Sequence, residues 1–385
     1  MKAFNRQRTG SVRAPHTNHR ALWISTSTDS RGGISTFVRD MQTTQLWKTW
    51  HIRHIATHRN GSITDRIATF AVGLVQAIYE LLAHRPQIVH IHVSAKGSFA
   101  RKCVISWMCY GLRVPVVLHV HGSNFDEFFD QASPAVKALI RGTLEHADVV
   151  IGLGRTWTTR LQIMAPRARV EAATCAVRPD QPVGQVAGGP VNCVFLGEVG
   201  ERKGTFVLLE AWAKALEHTA VEATLTIAGD GDTARARSLV ADLGLASTVE
   251  VVGWLSSSAV SQLLKRSHVL VLPSRNEGTP IAILEAMASG LCVVASDVGG
   301  IPELLADTGV MVKPDDVAGI AEALTHVIDD HQTRSLLGTR ALSRVKSTFD
   351  LDALASRLDS LYRSILGAEC GETVDADSAD PTRRS

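Results

Sequence analysis

The segment PSRNEGTPIAILEAMASG (273–290) places two carboxylates, Glu277 and Glu285, on either side of what reads as a polar turn opening into a helix. Pro280 suits the first turn of that helix, because its missing N–H is not needed there. The backbone N–H groups from Gly278 to Ile281 then point out of the helix amino end, where an anion such as a diphosphate is stabilised. At helical rise the two glutamates lie up to ~12 Å apart. That distance is long enough to span a sugar at one end and a ribose at the other, with a diphosphate between them. Two glutamates so placed also occur on ordinary capped, solvated helices.

Four further stretches carry groups of the right kind. FLGEVGERKG (195–204) puts Arg202 and Lys203 just after a strand end, where they can neutralise a diphosphate. IAGDGD (227–232) is a glycine-rich strand end around Gly229 whose Asp230 and Asp232 form a D-x-D; it reads either as a divalent-metal ligand pair or as a tight turn. In STDSRGGISTFVRD (27–40), Gly32 and Gly33 open a helix and allow a backbone to approach a ligand, although a plain loop reads equally well. HVHGSNF (119–125) ends a buried strand: His119 reads as a core residue, while His121, before a glycine at the carboxyl end, faces the expected cleft.

The 273–290 segment resembles the donor-site signature of family-4 glycosyltransferases of the GT-B fold. It has a Pro-Ser-x-x-Glu-Gly turn, seven residues between the glutamates, and then Glu-Ala-Met-Ala-x-Gly. VVASDVGGIPELL (293–305) is similar to that family as well, and a weaker likeness runs over residues 20–365. The resemblance implies a retaining enzyme that uses a nucleotide diphosphate sugar and needs no metal. It implies that Glu277 sits near the donor sugar hydroxyls, that Glu285 accepts hydrogen bonds from the ribose, and that Gly278 and Thr279 offer backbone amides. Lys203 matches the family's phosphate-binding lysine and His121 its active-site histidine. The loop holding Gly32 and Gly33 would touch donor and acceptor, and the turn at Gly229 would line the nucleotide site. Three positions depart from the pattern: Thr279 where Phe or Leu is usual, Cys292 where Pro is usual, and Glu198 where an arginine is usual, leaving Arg202 to supply that charge.

Positioning such groups requires strands that end together. ALWIST (21–26), QIVHIHV (87–93), VPVVLHV (114–120) and ADVVIG (147–152) are short Val- and Ile-rich runs that read as buried strands, as do VNCVFLG (191–197), ATLTIAG (223–229), TVEVVG (248–253), HVLVLP (268–273) and LCVVAS (291–296). Helical periods alternate with them, around 204–217, 234–243, 257–266 and 280–289. Ile67, Phe70, Ala71, Leu74, Ile78, Leu81 and Leu82 form an apolar stripe expected to face a sheet. The fold class is therefore α/β, with two doubly wound parallel-sheet (Rossmann-like) domains facing a cleft, and the resemblance implies that it is GT-B-like.

The chain has 385 residues, enough for two domains. The expected division is a basic arm (1–20), an acceptor-binding domain (21–180), a donor-binding domain (181–366) whose last helix is free to cross back, and an acidic tail (367–385). The Pro- and Gly-dense 178–190 is the linker. Hydrophobic residues at 45% and charged residues at 20% exclude a mostly disordered chain. The arm lacks the apolar core of a secretory signal, and the best spanning candidate, 67–82, is broken by Gln76 and Glu80. Six cysteines without a C-x-x-C pair suit a reducing cytoplasm.

The net charge of +2 conceals a basic half, residues 1–180 with a surplus of twelve positive charges, joined to an acidic remainder. Such asymmetry points to an anionic partner. Two basic-aromatic clusters, Trp47–Lys48–Trp50 and the stretch Lys96–Tyr110, mark this half as a candidate for peripheral binding to an anionic membrane; the alternative for the latter is a helix buried against the sheet.

These readings converge on a glycosyltransferase moving a sugar from a UDP- or GDP-type donor to a saccharide or lipid-linked acceptor, in cell-envelope or exopolysaccharide biosynthesis, at the inner face of the plasma membrane or in the cytoplasm. The alternatives are a nucleotide-sugar epimerase and a catalytically silent sugar-nucleotide binder. No G-x-G-x-x-G follows either half's first strand, which disfavours a dehydrogenase.

Overall fold

The computed structural model describes residues 20–122, 124–184 and 189–367. The acidic tail from residue 368, Cys370, nearly all of the basic arm and part of the expected linker lie outside the described residues.

Twelve strands form two parallel six-stranded sheets. The first contains β1 (Ala21–Ser25), β2 (Arg53–Ala56), β3 (Ile88–Val93), β4 (Val116–Val120), β5 (Val149–Gly152) and β6 (Val170–Ala172), in the order β2-β1-β3-β4-β5-β6. The second contains β7 (Val191–Leu196), β8 (Ala223–Ala228), β9 (Val249–Gly253), β10 (Val269–Leu272), β11 (Cys292–Ser296) and β12 (Val310–Val312), in the order β12-β11-β10-β7-β8-β9. The inner strands β1, β3, β4, β5, β10 and β11 are buried along their whole length. Helices cover both faces, which explains why these strands read as unbroken apolar runs. Every strand expected from the sequence is present. Those not expected are β2, β6 and β12, which are short and lie at sheet edges.

In the second sheet β7 pairs with β10, and the chain reverses its direction of growth between them. Loops that leave neighbouring strands on opposite faces diverge there and open a crevice at the carboxyl ends. The Lys203 loop follows β7 and the Glu277 loop follows β10, so both flank this crevice.

The long helix Leu351–Ile365 returns to the first sheet. Trp50 Nε1 donates to Asp359 Oδ1 (2.6 Å) and Trp23 Nε1 to Tyr362 Oη (3.0 Å). Trp23, Trp50 and Tyr362 are fully buried. This places Trp50 in the core and removes it from any surface cluster; Trp47 is partly buried, edge-on to Trp23.

Helix Ile63–Tyr79 differs from its sequence reading. It opens with a capping box between Ser62 and Asp65 and continues as a π-helical turn, Glu80–His84. The stripe expected to face the sheet does so only in part. Gly73, Ala77 and Leu81 are buried, and a Cβ on Gly73 would lie 2.3 Å from the Ala56 carbonyl oxygen. The helix approaches the sheet through its small residues and leaves Ile67, Ala71, Ile78 and Leu82 exposed. By length and apolar composition the 22 residues Ile63–His84 would suffice to cross a membrane.

Candidate active site at the cleft between the sheets

The carboxyl ends of both sheets enclose a cavity of about 630 Å³. His121, Gly32, Gly33, Arg202, Lys203, Gly229, Glu277, Gly278, Thr279 and Glu285, separated by up to 253 positions in sequence, all line it. Asp232 does not.

On the second-sheet side, Lys203 closes a single 3-10 turn, Glu201–Lys203, after β7. Its Nζ forms an ion pair with Glu277 Oε1, and Ser274 Oγ donates to the same oxygen (2.7 Å). Glu277 is buried, so these partners offset the cost of holding its charge away from water. The loop carrying Glu277 is pinned from behind by Gly299 and Gly300: Gly300 N donates to the Gly278 carbonyl (3.0 Å), and a Cβ on Gly299 would meet the Glu277 carbonyl oxygen at 1.8 Å. Helix Ile281–Ala288 starts one residue later than expected, with Pro280 as its N-cap and no side-chain cap. Its first amides therefore have no side-chain acceptor.

Arg202 forms an i,i+4 ion pair with Glu198 (3.0 Å), the residue that stands where the family has arginine. The basic charge is thus partly neutralised by the departure that made Arg202 its substitute. Asp230 and Asp232 face different partners. Asp230 pairs with Arg31 across the cleft (2.6 Å), while Asp232 accepts from Arg235 N at the start of helix Thr233–Asp242. Different partners for the two carboxylates favour the turn reading over the metal-pair reading.

Glu285 projects from the second turn of its helix into the cavity wall. Burial raises its pKa to about 7, helped by the nearby Asp40 and opposed by Arg39. Burial likewise raises Asp40 to about 6, against the pull of Arg39 and Arg178. Asp40 and Arg39 belong to helix Gly33–Met41 of the first half, so the two halves share one electrostatic environment.

On the first-sheet side, His121 N donates to the Val93 carbonyl (2.8 Å), and its Nε2 is 2.9 Å from His92 Nδ1. His90, His92, His119 and His121 stack between β3 and β4, against Trp23 and Phe37. Burial holds His90, His92 and His121 well below the usual histidine range, so these imidazoles are neutral. His119 is buried, as a core residue should be. Ligand atoms of His90, His92 and His119 lie within 4.8 Å of one another, a grouping able to hold a metal ion that the linear spacing does not reveal. His90 Nδ1 is engaged with Tyr362 Oη (2.5 Å) and His90 Nε2 with His119 Nδ1 (3.3 Å), while His92 Nε2 and His119 Nε2 are buried without a hydrogen-bond partner among the described residues.

Several cleft residues escape the sequence reading. Arg31 pairs with Asp230 and lies 5.0 Å from the ring centre of Trp254, which also lines the cavity together with Arg39 and Asn60. Arg31 directly precedes the paired glycines, the one local signal that pointed to it. Trp254 sits in a loop after β9 without any motif. Lys102, read as part of a surface cluster, is buried, with its Nζ donating to Ser98 Oγ (2.8 Å); burial and Arg101 lower its pKa to about 7.

Residues 190–330 match the family model described as Glycosyl transferases group 1. The chain is 30% identical over 299 residues to the alpha-D-kanosaminyltransferase of Streptomyces kanamyceticus, covering 71% of this chain and 77% of that protein. It is 28% identical over 270 residues to the putative colanic acid biosynthesis glycosyltransferase WcaL of Salmonella typhimurium; the match spans 66% of this chain and 65%, just under two thirds, of that relative. In three dimensions it is similar to HepE of Anabaena, solved in complex with UDP, with a TM-score of 0.70, 17% identity, and coverage of 90% of this chain and all of that one.

Proposed function

The chain belongs to the group 1 glycosyltransferases and is a glycosyltransferase of GT-B fold; from that premise we propose that it binds a nucleotide diphosphate sugar in the cleft and transfers the sugar, with retention and without a metal, to a saccharide or lipid-linked acceptor. The observation that carries this reading is the convergence of Lys203, Glu277, Glu285, the amino end of helix Ile281–Ala288 and His121 on one cavity.

The roles are those that the family resemblance implies, and the shared cavity lining supports them. Glu285 faces the ribose, and as a carboxylate it accepts hydroxyl hydrogen bonds strongly. The diphosphate lies against the amides of Gly278–Ile281, with Lys203 and Arg202 beside it. When the bond from the anomeric carbon to the phosphate oxygen breaks, negative charge grows on the diphosphate, and these fixed dipoles and cations stabilise it. The diphosphate competes with Glu277 for Lys203 and with Glu198 for Arg202. His121 and Glu277 flank the sugar. His121 is neutral, and its Nε2 is within hydrogen-bond distance of His92, so it acts as a hydrogen-bonding group beside the sugar. HepE was solved with UDP, and colanic acid is a polysaccharide, which favours a UDP-type donor and an envelope or exopolysaccharide product for this chain.

A thermal-shift panel of UDP- and GDP-sugars tests the reading. A true donor raises Tm in proportion to RT ln(1 + [L]/Kd), about 2.7 kcal/mol of stabilisation at a hundredfold excess over Kd. If no nucleotide sugar shifts Tm at millimolar concentration, the donor assignment is wrong.

A further inference from the structure

Helix Ile63–Tyr79 and its π-helical extension are exposed in a way that a core helix is not: only 22% of the most apolar 18-residue window is buried. Ile63, Ile67, Val75, Ile78, Tyr79 and Leu82 all point outward, Ile63 at 74% and Val75 at 66% exposure. Except for Tyr79 they fall within a third of the helix circumference, a continuous stripe.

The stripe has neighbours. β1 is followed by a crossover toward β2, and every later crossover in this sheet runs the other way. Right-handed connections therefore place helices Ile63–Tyr79, Gly97–Gly111 and Pro134–His146 side by side on one face. Helix Gly97–Gly111 packs against both of the others. It exposes Val104, Trp107 and Tyr110, and the third exposes Val136 and Leu139. Trp107 Nε1 donates to Thr143 Oγ1 (3.0 Å), tying the second and third helices together. Exposed apolar side chains therefore lie on three neighbouring helices of one face, and clustered exposed apolar surface of this kind marks interaction sites.

Its charge selects the occupant. Between Asp65 and Asp126 the chain has Arg66, Arg85, Lys96, Arg101, Lys102 and Arg113 and a single acid, Glu80. Glu80 is buried and paired with Arg53 and His84. Arg66 and Lys96 are exposed at the cleft end of the helices, Arg85 and Arg113 at the opposite end, so basic groups border the apolar stripe at both ends. Along the first two helices, apolar and aromatic side chains are edged by arginine and lysine and the partly exposed acid, Asp65, is paired with Arg59, which matches an anionic lipid surface; the third helix is bordered by Glu127 and Asp130 as well as Lys137 and Arg141.

We propose that the outer face of helices Ile63–Tyr79 and Gly97–Gly111 docks flat on a bilayer containing anionic lipid. The helix does not span it: both ends are tied into one sheet, after β2 and before β3. Because each helix begins just after the carboxyl end of a strand, the docked face brings the cleft beside the membrane; that this delivers a lipid-linked acceptor rests on the transfer reading above. Of the two clusters that the sequence suggested, this surface keeps Lys96, Val104, Trp107 and Tyr110 and loses Trp50 and Lys102, which are buried.

Flotation of the full chain with phosphatidylcholine vesicles, with and without phosphatidylglycerol, tests the proposal. Binding is expected only with phosphatidylglycerol, and it should be released as added salt shortens the screening length from ~8 Å to ~3 Å. Ile67→Asp combined with Val75→Asp should reduce the bound fraction about tenfold, and Arg85→Gln combined with Arg113→Gln should weaken binding chiefly at low salt. Circular dichroism and the donor-induced Tm shift, which report on fold and cleft, should be unchanged in both. Equal binding to neutral and anionic vesicles would overturn the proposal, as would unaltered binding of the aspartate variant. So would a stable dimer in solution that the aspartate variant dissociates, because a second copy would then cover this face. None of these outcomes affects the donor reading, which the Tm shift measures separately.

Discussion

Glu285 links the sequence motif to an electrostatic consequence that the motif does not contain. Its pKa of about 7 means that the empty cleft holds it partly protonated at neutral pH. Donor affinity should therefore increase as pH rises from about 6 to 8, and Glu285→Gln should weaken binding about 10- to 100-fold and flatten that dependence. Stability moves the other way. A carboxyl whose folded pKa lies above its unfolded value of about 4.5 favours the fold when protonated; that contribution is complete below about pH 4.5 and is lost as pH rises through about 7. Thermal melts of the ligand-free protein should show this decline reduced in Glu285→Gln. Glu277→Gln has a different signature: about a hundredfold lower kcat with little change in nucleotide affinity, as expected of a residue proposed to flank the sugar. Steady-state kinetics beside calorimetric titration separates the two.

At the scale of elements, the strands were legible wherever burial on both faces forced a continuous apolar run. β2 and β6 were not: RHIA and VEA lie at sheet edges, where one side is free and the pattern dissolves into polar residues. Helix Ile63–Tyr79 was legible as a helix but not in its orientation, because its packing face is built from Gly73 and Ala77, which periodicity counts as weak. The Glu277 loop was legible through its motif. What holds it, the approach of Gly299 to the Glu277 carbonyl at a φ of 57°, follows only from the fold. Gly299→Ala should incur the left-handed backbone cost of about 1 kcal/mol and also push the loop from its place. The expected result is a lower Tm together with weaker donor binding, whereas an exposed control such as Gly244→Ala, with open space around its Cβ, should lose stability alone.

At the scale of the molecule, the ten residues singled out from sequence share one cavity, while the clasp across it was invisible. Arg31 and Asp230 meet from opposite halves and are each about half exposed, so their pair contributes little to stability. Asp230→Asn should leave Tm nearly unchanged and raise KM for the donor by freeing the halves to separate. The histidine stack was equally illegible, because residues on β3 and β4 become neighbours only through the register that pairs His92 with His119. The measurement that tests the account most directly is release of nucleotide diphosphate from a donor identified by thermal shift, followed with and without EDTA for the parent chain, Lys203→Ala and Glu277→Gln. The account predicts turnover by the parent that survives EDTA and falls at least a hundredfold in both variants. Parent-like turnover in Lys203→Ala and Glu277→Gln, or activity lost with EDTA and restored by added metal, would contradict it.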